Sequence, residues 1–188
     1  HRSRFIPAIE SIKENCEIFE LDSAQDYRLR TLEQLEIFVI ESEGKSIEKL
    51  ESNFSELTNN EYEENKNIQI LGRKIKTIKL SKGSVWISFK EICEGPRSAK
   101  DYIEICSEFH TVFVSGVPIM KENNGDAARR FIALVDECYE RNVNLILSLE
   151  ANLNEIYRGN RLAEPFKRTL SRLEEMRSRE YLSRPHLI

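Results

Sequence analysis

No apolar run in this 188-residue chain approaches the roughly 18–20 residues needed to span a bilayer, and the first residues do not read as a secretory signal. Basic excess is missing too: 28 Lys and Arg stand against 32 Asp and Glu, for a net charge of −4. A dedicated nucleic-acid binder usually carries the opposite imbalance, so that class is set aside, although a local basic patch is still compatible with the Arg-rich ends. Cysteine is sparse and scattered: Cys16, Cys93, Cys106 and Cys138 form no CxxC pair, which excludes a zinc ribbon or a disulfide scaffold and predicts reduced, buried thiols in a cytosol-like compartment. The three histidines, His1, His110 and His186, are far apart. There is no HxxxH, no GxSxG and no His/Cys cluster, so neither a metal site nor a nucleophile triad is legible. His110 reads as a capping or core hydrogen-bonding residue.

What is present is an ordinary globular composition, 40% apolar and 32% charged, long enough for one domain or one domain with an inserted element. The chain opens on His1 rather than methionine, on residues that already read as helix, so a piece of a longer protein is expected. Phe5, Ile9, Ile12 and Cys16 predict a first helix, and residues 17–21 alternate as a half-buried strand. The triplet Asp26-Tyr27-Arg28 reads as structural, a tyrosine packed between a charge pair. Leu35–Ile40 predicts a strand. Residues 41–67 are polar and acidic, with one amphipathic helix on Ile47, Leu50, Phe54 and Leu57 followed by a loop. Ile68–Leu71 and Lys74–Leu80 around Gly72-Arg73 predict a hairpin, with Ser84–Phe89 pairing to it. Beyond Cys93 the pattern becomes helix (Ser98–Phe109), strand (Thr111–Val114), helix (Asp126–Asn142), strand (Asn144–Leu149), a short helix from Asn154 and a long one over Pro165–Leu182. Continuous apolar strands separated by helices imply a parallel sheet with crossovers. The expected class is α/β, with an inserted antiparallel β element.

Two local motifs imitate phosphate chemistry. Gly44-Lys45-Ser46 follows a strand and precedes a helix, but a phosphate loop needs GxxxxGK[ST]. Here the first glycine position is Val39, and Glu41 and Glu43 would repel phosphate. Leu134-Val135-Asp136-Glu137 mimics a strand ending in two carboxylates, yet Phe131, Ile132, Leu134, Val135 and Cys138 fall at helical spacing, which puts those acids on a helix surface. The arginines are more informative. Arg2 and Arg4 lead into the first helix, Arg129-Arg130 open another, and Arg168 and Arg172 lie four apart on the last. A planar, permanently charged fork suits carboxylate pairing and phosphate contact equally.

Four strings together, RFIPAIESIKENCEIFELDSAQDYRLR (4–30), SAKDYIEICSEFHTVFVSGVPIM (98–120), ARRFIALVDECYERNV (128–143) and FKRTLSRLEEMRSREYL (166–182), resemble the C-terminal half of the ZapE/AFG-type ATPases. The resemblance spans nearly the whole chain outside 41–67. It implies a partial AAA+-like parallel sheet with flanking helices, divided into the end of an ATPase core (1–40), a variable acidic helix, loop and hairpin insertion (41–92), and a C-terminal α/β layer (93–188). The motifs that bind phosphate and the first sensor would precede the segment seen here. ATP and Mg would therefore belong to the intact protein, with none expected on this chain alone.

Within that implied scheme Arg2 or Arg4 would be an arginine finger acting in trans, and Arg172 a second sensor. The implied partners are FtsZ or another protein client and further copies of the same chain, with no nucleic acid. The implied location is the bacterial cytoplasm, peripheral to the inner membrane at the division site. The C-terminal strands and helix further imply a second, nucleotide-free α/β layer. Two readings stay open: a segment contributing arginines to an ATPase, and a non-catalytic module docking a client, for which the acidic 41–67 stretch would be the docking loop or simply a mobile insertion.

Overall fold

In a computed structural model, the protein is described over residues 24–41 and 44–188. Helix α1 (Ala24–Gln34) leads to strand β1 (Phe38–Ile40), and helix α2 (Ser46–Leu57) follows. A run of short strands comes next: β2 (Glu63–Glu64), β3 (Asn67–Ile70), β4 (Arg73–Lys76), β5 (Lys79–Ser81) and β6 (Ser84–Ser88). A π-helical turn (Lys90–Glu94), helix α3 (Ala99–Glu108), strand β7 (Thr111–Val117), helix α4 (Gly125–Glu140) and strand β8 (Asn144–Leu149) form the second half. Helices α5 (Ala163–Met176) and α6 (Arg179–Leu182) close it. The expected helix and strand of residues 5–21 lie outside the described residues.

Among the described residues, six strands make one sheet in the order β1-β8-β7-β6-β5-β2. The first four are mutually parallel, and β5 and β2 extend the far edge antiparallel. Alternation within each parallel strand divides the core in two. Val85, Ile87, Val112, Val114, Leu145 and Leu147 face α3, α4 and α5, whereas Trp86, Phe113 and Ile146 face α1 and α2. Successive side chains point to opposite faces, so strands buried on both sides must be apolar throughout. The strand centres VWI, VFV and LIL meet that condition, with Ser, Thr and Asn confined to the ends of the strands. Both crossovers that link β6, β7 and β8 lie on one face, as neighbours joined in one direction with a constant hand require.

Several expectations need correction. Strand β6 pairs with β5 and β7, while β3 and β4 form a separate two-stranded ribbon. Its turn is Leu71-Gly72 rather than Gly72-Arg73: both residues have positive φ (48° and 76°), the signature of a two-residue primed turn, which glycine enters without a Cβ penalty. The last helix breaks at Arg177-Ser178, where the Ser178 hydroxyl accepts from the Tyr181 amide and starts α6. Leu50 and Phe54 of α2 are fully buried against the sheet, and β1 shares that sheet with β6, β7 and β8. The sheet thus takes strands from each of the expected segments 1–40, 41–92 and 93–188.

Candidate functional site

Open parallel sheets bind ligands outside the carboxyl ends of their strands, at the point where the strand order reverses. Here the chain leaves β1, crosses to β6 and returns through β7 to β8 beside β1, which creates such a point between β1 and β8. A cleft of about 230 Å³ opens there, lined by Glu41, Ser46, Gly116, Val117, Ser148 and Glu150 among others. The Gly44-Lys45-Ser46 string therefore occupies the strand-to-helix position that a phosphate loop would take.

Its chemistry is a different matter. Ser46, the buried first residue of α2, donates its hydroxyl to the Glu41 carboxylate. Val39, at the position of the missing first glycine, is a buried strand residue. Across the cleft, β7 is interrupted by a register shift between Val114 and Val117, where Gly116 takes a positive φ of 74°. Its amide donates to the Ser148 hydroxyl at 2.8 Å. The Ile119 amide donates to Glu150 Oε2 at 2.7 Å, and the Glu150 amide to the Val117 carbonyl at 2.9 Å. Donors that would face phosphate in a nucleotide site are thus spent on the chain's own acceptors. Two carboxylates border a cavity smaller than the roughly 300–1,000 Å³ typical of small-molecule pockets. The residues present do not fit a nucleotide triphosphate with its magnesium ion. Among the described residues no group of three or more His, Cys, Asp and Glu could hold a metal ion, and no helix is long and apolar enough to cross a membrane.

The arginines divide clearly. Arg2 and Arg4 lie outside the described residues. Arg129 pairs with Asp126 at 3.0 Å, and Arg130 donates to the carbonyls of Cys93 and Arg97 at 3.1 and 3.3 Å, tying α4 to the end of the π-helical turn. Arg172 spans Asp136 (2.6 Å) and Glu140 (2.9 Å) with its guanidinium over the Tyr139 ring. Arg168 reaches Asp136 at 3.5 Å. Asp136 and Glu137 are thus helix residues, as their spacing requires, and Asp136 serves α5. Because α4 runs back from the carboxyl ends of the strands, Asp136 and Glu140 fall toward the amino ends, and Arg172 with them. Arg172 and the switch-point cleft are not brought together.

Other residues behave as their chemistry predicts. Cys93, Cys106 and Cys138 are buried free thiols, and the sulfurs of Cys106 and Cys138 are 3.5 Å apart. Burial pushes the Cys93 thiol far up, beyond the physiological range. The His110 Nδ1 lies 2.9 Å from the Thr111 hydroxyl, in line with the hydrogen-bonding role expected of it. His186 docks its Nε2 on the Cys106 carbonyl at 2.6 Å. The Asp26-Tyr27-Arg28 triplet departs from expectation: Tyr27 is 47% exposed, and its hydroxyl donates to the Asn59 side chain at 2.8 Å. Helix α1 turns Tyr27 outward and the Arg28 Nε inward, which no pattern in a polar stretch announced.

Comparisons with known proteins bear on the arrangement as a whole. The model of the AFG1-like ATPase family matches residues 1–185. The chain is 41% identical over 186 residues to the cell division protein ZapE of Escherichia coli strain K12, covering 99% of this chain and 50% of that protein. It is 32% identical over 159 residues to the lactation elevated protein 1 homolog B of Danio rerio, covering 82% of this chain and 31% of that protein. No solved structure matches. The chain spans about half the length of the ZapE it matches, or less for the fish relative. By the match along almost its full length, this chain belongs to the AFG1-like ATPase family.

Proposed function

We propose that this chain is the C-terminal half of an AFG1-like ATPase, an α/β module with no phosphate-binding loop of its own that works beside a half carrying Walker A, Walker B and the first sensor. One observation carries the reading. At the switch point of the sheet, where a phosphate loop would turn into its helix, Glu41 takes the Ser46 hydroxyl and puts a carboxylate where phosphate would have to sit. ATP and magnesium belong to the other half.

The arginines would then act across a subunit boundary. Arg2 or Arg4, near the junction between the halves, is proposed as a finger supplied in trans to a neighbouring copy, where it stabilises charge on the transferring phosphoryl group. Arg172 as a second sensor is the less favoured assignment, because it would first have to leave Asp136 and Glu140. ZapE is by name a cell division protein. The proposed work of the intact protein is ATP-driven remodelling of a division polymer such as FtsZ, in the bacterial cytoplasm at the inner face of the membrane, by a homo-oligomer. A docking loop at 41–67 finds less support, since α2 is part of the core, and deleting that stretch would unfold the module.

The test is calorimetry with ATP and magnesium on this chain and on the full-length protein, together with ATPase assays of the latter. The expected result is binding only by the full-length protein, and a fall of roughly 10³–10⁵-fold in its ATPase rate on Arg2→Ala, as for other fingers supplied in trans. Stoichiometric ATP binding by this chain alone would overturn the reading.

A further inference from the structure

The opposite end of the sheet carries a second cavity, independent of the switch-point cleft. About 420 Å³ opens at the amino ends of β6 and β7, lined by Tyr27, Arg28, Asn59, Lys82, Ser84 and His110 together with Glu61 and neighbouring residues. Each comes from a different part of the fold: Arg28 from α1, Asn59 from the turn after α2, Lys82 from the β5–β6 turn, and Ser84 and His110 from the starts of β6 and β7.

The Nε of Arg28 is buried and has no hydrogen-bond partner. Among the described residues no carboxylate pairs with Arg28 or Lys82, and the guanidinium is held below its ordinary pKa by burial alone. A buried donor without an acceptor calls for an explanation such as a bound ion. Burial first, then Arg28 and His186, lower the pKa of His110 to about 4, so the ring is neutral at physiological pH. Gly83 lets that ring lie where it does: a Cβ there would meet His110 Nε2 at 2.5 Å, and its φ of +76° disfavours any other residue.

We propose that this cavity is a binding site for a phosphate group, held by the Arg28 guanidinium, the Lys82 ammonium and the Ser84 hydroxyl. Donors converging from separate elements suit a tetrahedral oxyanion with acceptors on several sides better than a planar carboxylate, which one guanidinium fork saturates. Tyr27, Asn59 and Glu61 border the mouth, and Glu61 favours a singly substituted phosphate over a more highly charged ligand. This proposal does not rest on the ATPase reading, and the site lies at the other end of the strands from Glu41.

The experiment follows the His110 ring resonances of this chain by NMR during titration with inorganic phosphate, at constant ionic strength balanced with chloride. The expected result is a saturable shift and a rise of the His110 pKa by about one unit or more as the anion offsets the Arg28 charge. Arg28→Gln should abolish the response, and Lys82→Gln, on an exposed turn and safe for folding, should weaken it at least threefold. Several outcomes would overturn the proposal: the same shift with chloride alone, a response that survives Arg28→Gln or is untouched by Lys82→Gln, or one lost on Glu41→Ala. Acetate binding as tightly as phosphate would replace the phosphate assignment with a carboxylate.

Discussion

The two ends of the parallel strands are opposite in character although the same helix borders both. At the carboxyl ends, the first residue of α2 meets Glu41, and every polar group named in that cleft has a partner from the chain itself. At the amino ends, the residues that follow α2 border a cavity in which a buried arginine nitrogen has none. Burying a polar group unsatisfied costs free energy wherever it happens, so the first arrangement reads as a scaffold and the second as the proposed phosphate site. Family membership would have directed attention to the first end. The energetics direct it to the second.

The largest effect that would break this comparison comes from Phe54, which holds α2 between the two ends. It is fully buried, 5.0 Å from Phe113 edge-to-face and 5.6 Å from Tyr62. Phe54→Ala should destabilise the chain by about 3–5 kcal/mol, measured by urea denaturation, and should blunt the phosphate response of His110 along with the fold.

A smaller effect comes from His110 itself. Its native pKa, about 4, lies below the usual value of 6.5, so the unfolded chain binds the extra proton first as pH falls. The native state therefore loses stability from pH 6.5 downward until about pH 4, where both states are protonated. Discounted for partial exposure, the loss is on the order of 1–2 kcal/mol. Denaturation at several pH values should show this slope in the wild type and a flatter one in His110→Gln. Added phosphate should flatten it as well if the cavity is filled.

The smallest expected effect sharpens the contrast at the other end. Glu41→Ala removes the acceptor of the Ser46 hydroxyl and should cost about 0.5–1.5 kcal/mol, with no gain of ATP binding by calorimetry. A gain in stability accompanied by ATP binding would mean that Glu41 merely masks a working phosphate loop.

Much of this was legible in the residues. The strands at Thr111 and Asn144 announced themselves as continuous apolar runs, whereas Ser84–Phe89 read as a strand paired to the hairpin; both faces of each proved to be buried. The helical spacing of Phe131, Leu134, Val135 and Cys138 put Asp136 on a helix rather than at the end of a strand. The Glu41 objection to Gly44-Lys45-Ser46 was visible too, because a carboxylate repels phosphate wherever it lies in such a loop. The cavity around Arg28 gave no such signal: its residues are scattered between positions 27 and 110 and resemble ordinary polar surface in each local window.

The sequence alone determined the class of the fold, the parallel strands and most of the helices, since periodicity and turn chemistry act over a few neighbours. Tertiary structure alone decided that β1 pairs with β8, that α2 belongs to the core, that Arg172 is bonded to Asp136 and Glu140, and that the Arg28 Nε is buried without a partner in the cavity it shares with His110. Those outcomes depend on which distant segments share a face or an end of the sheet. Pairing across so many residues is chosen by the packing of the whole chain, not by any local pattern.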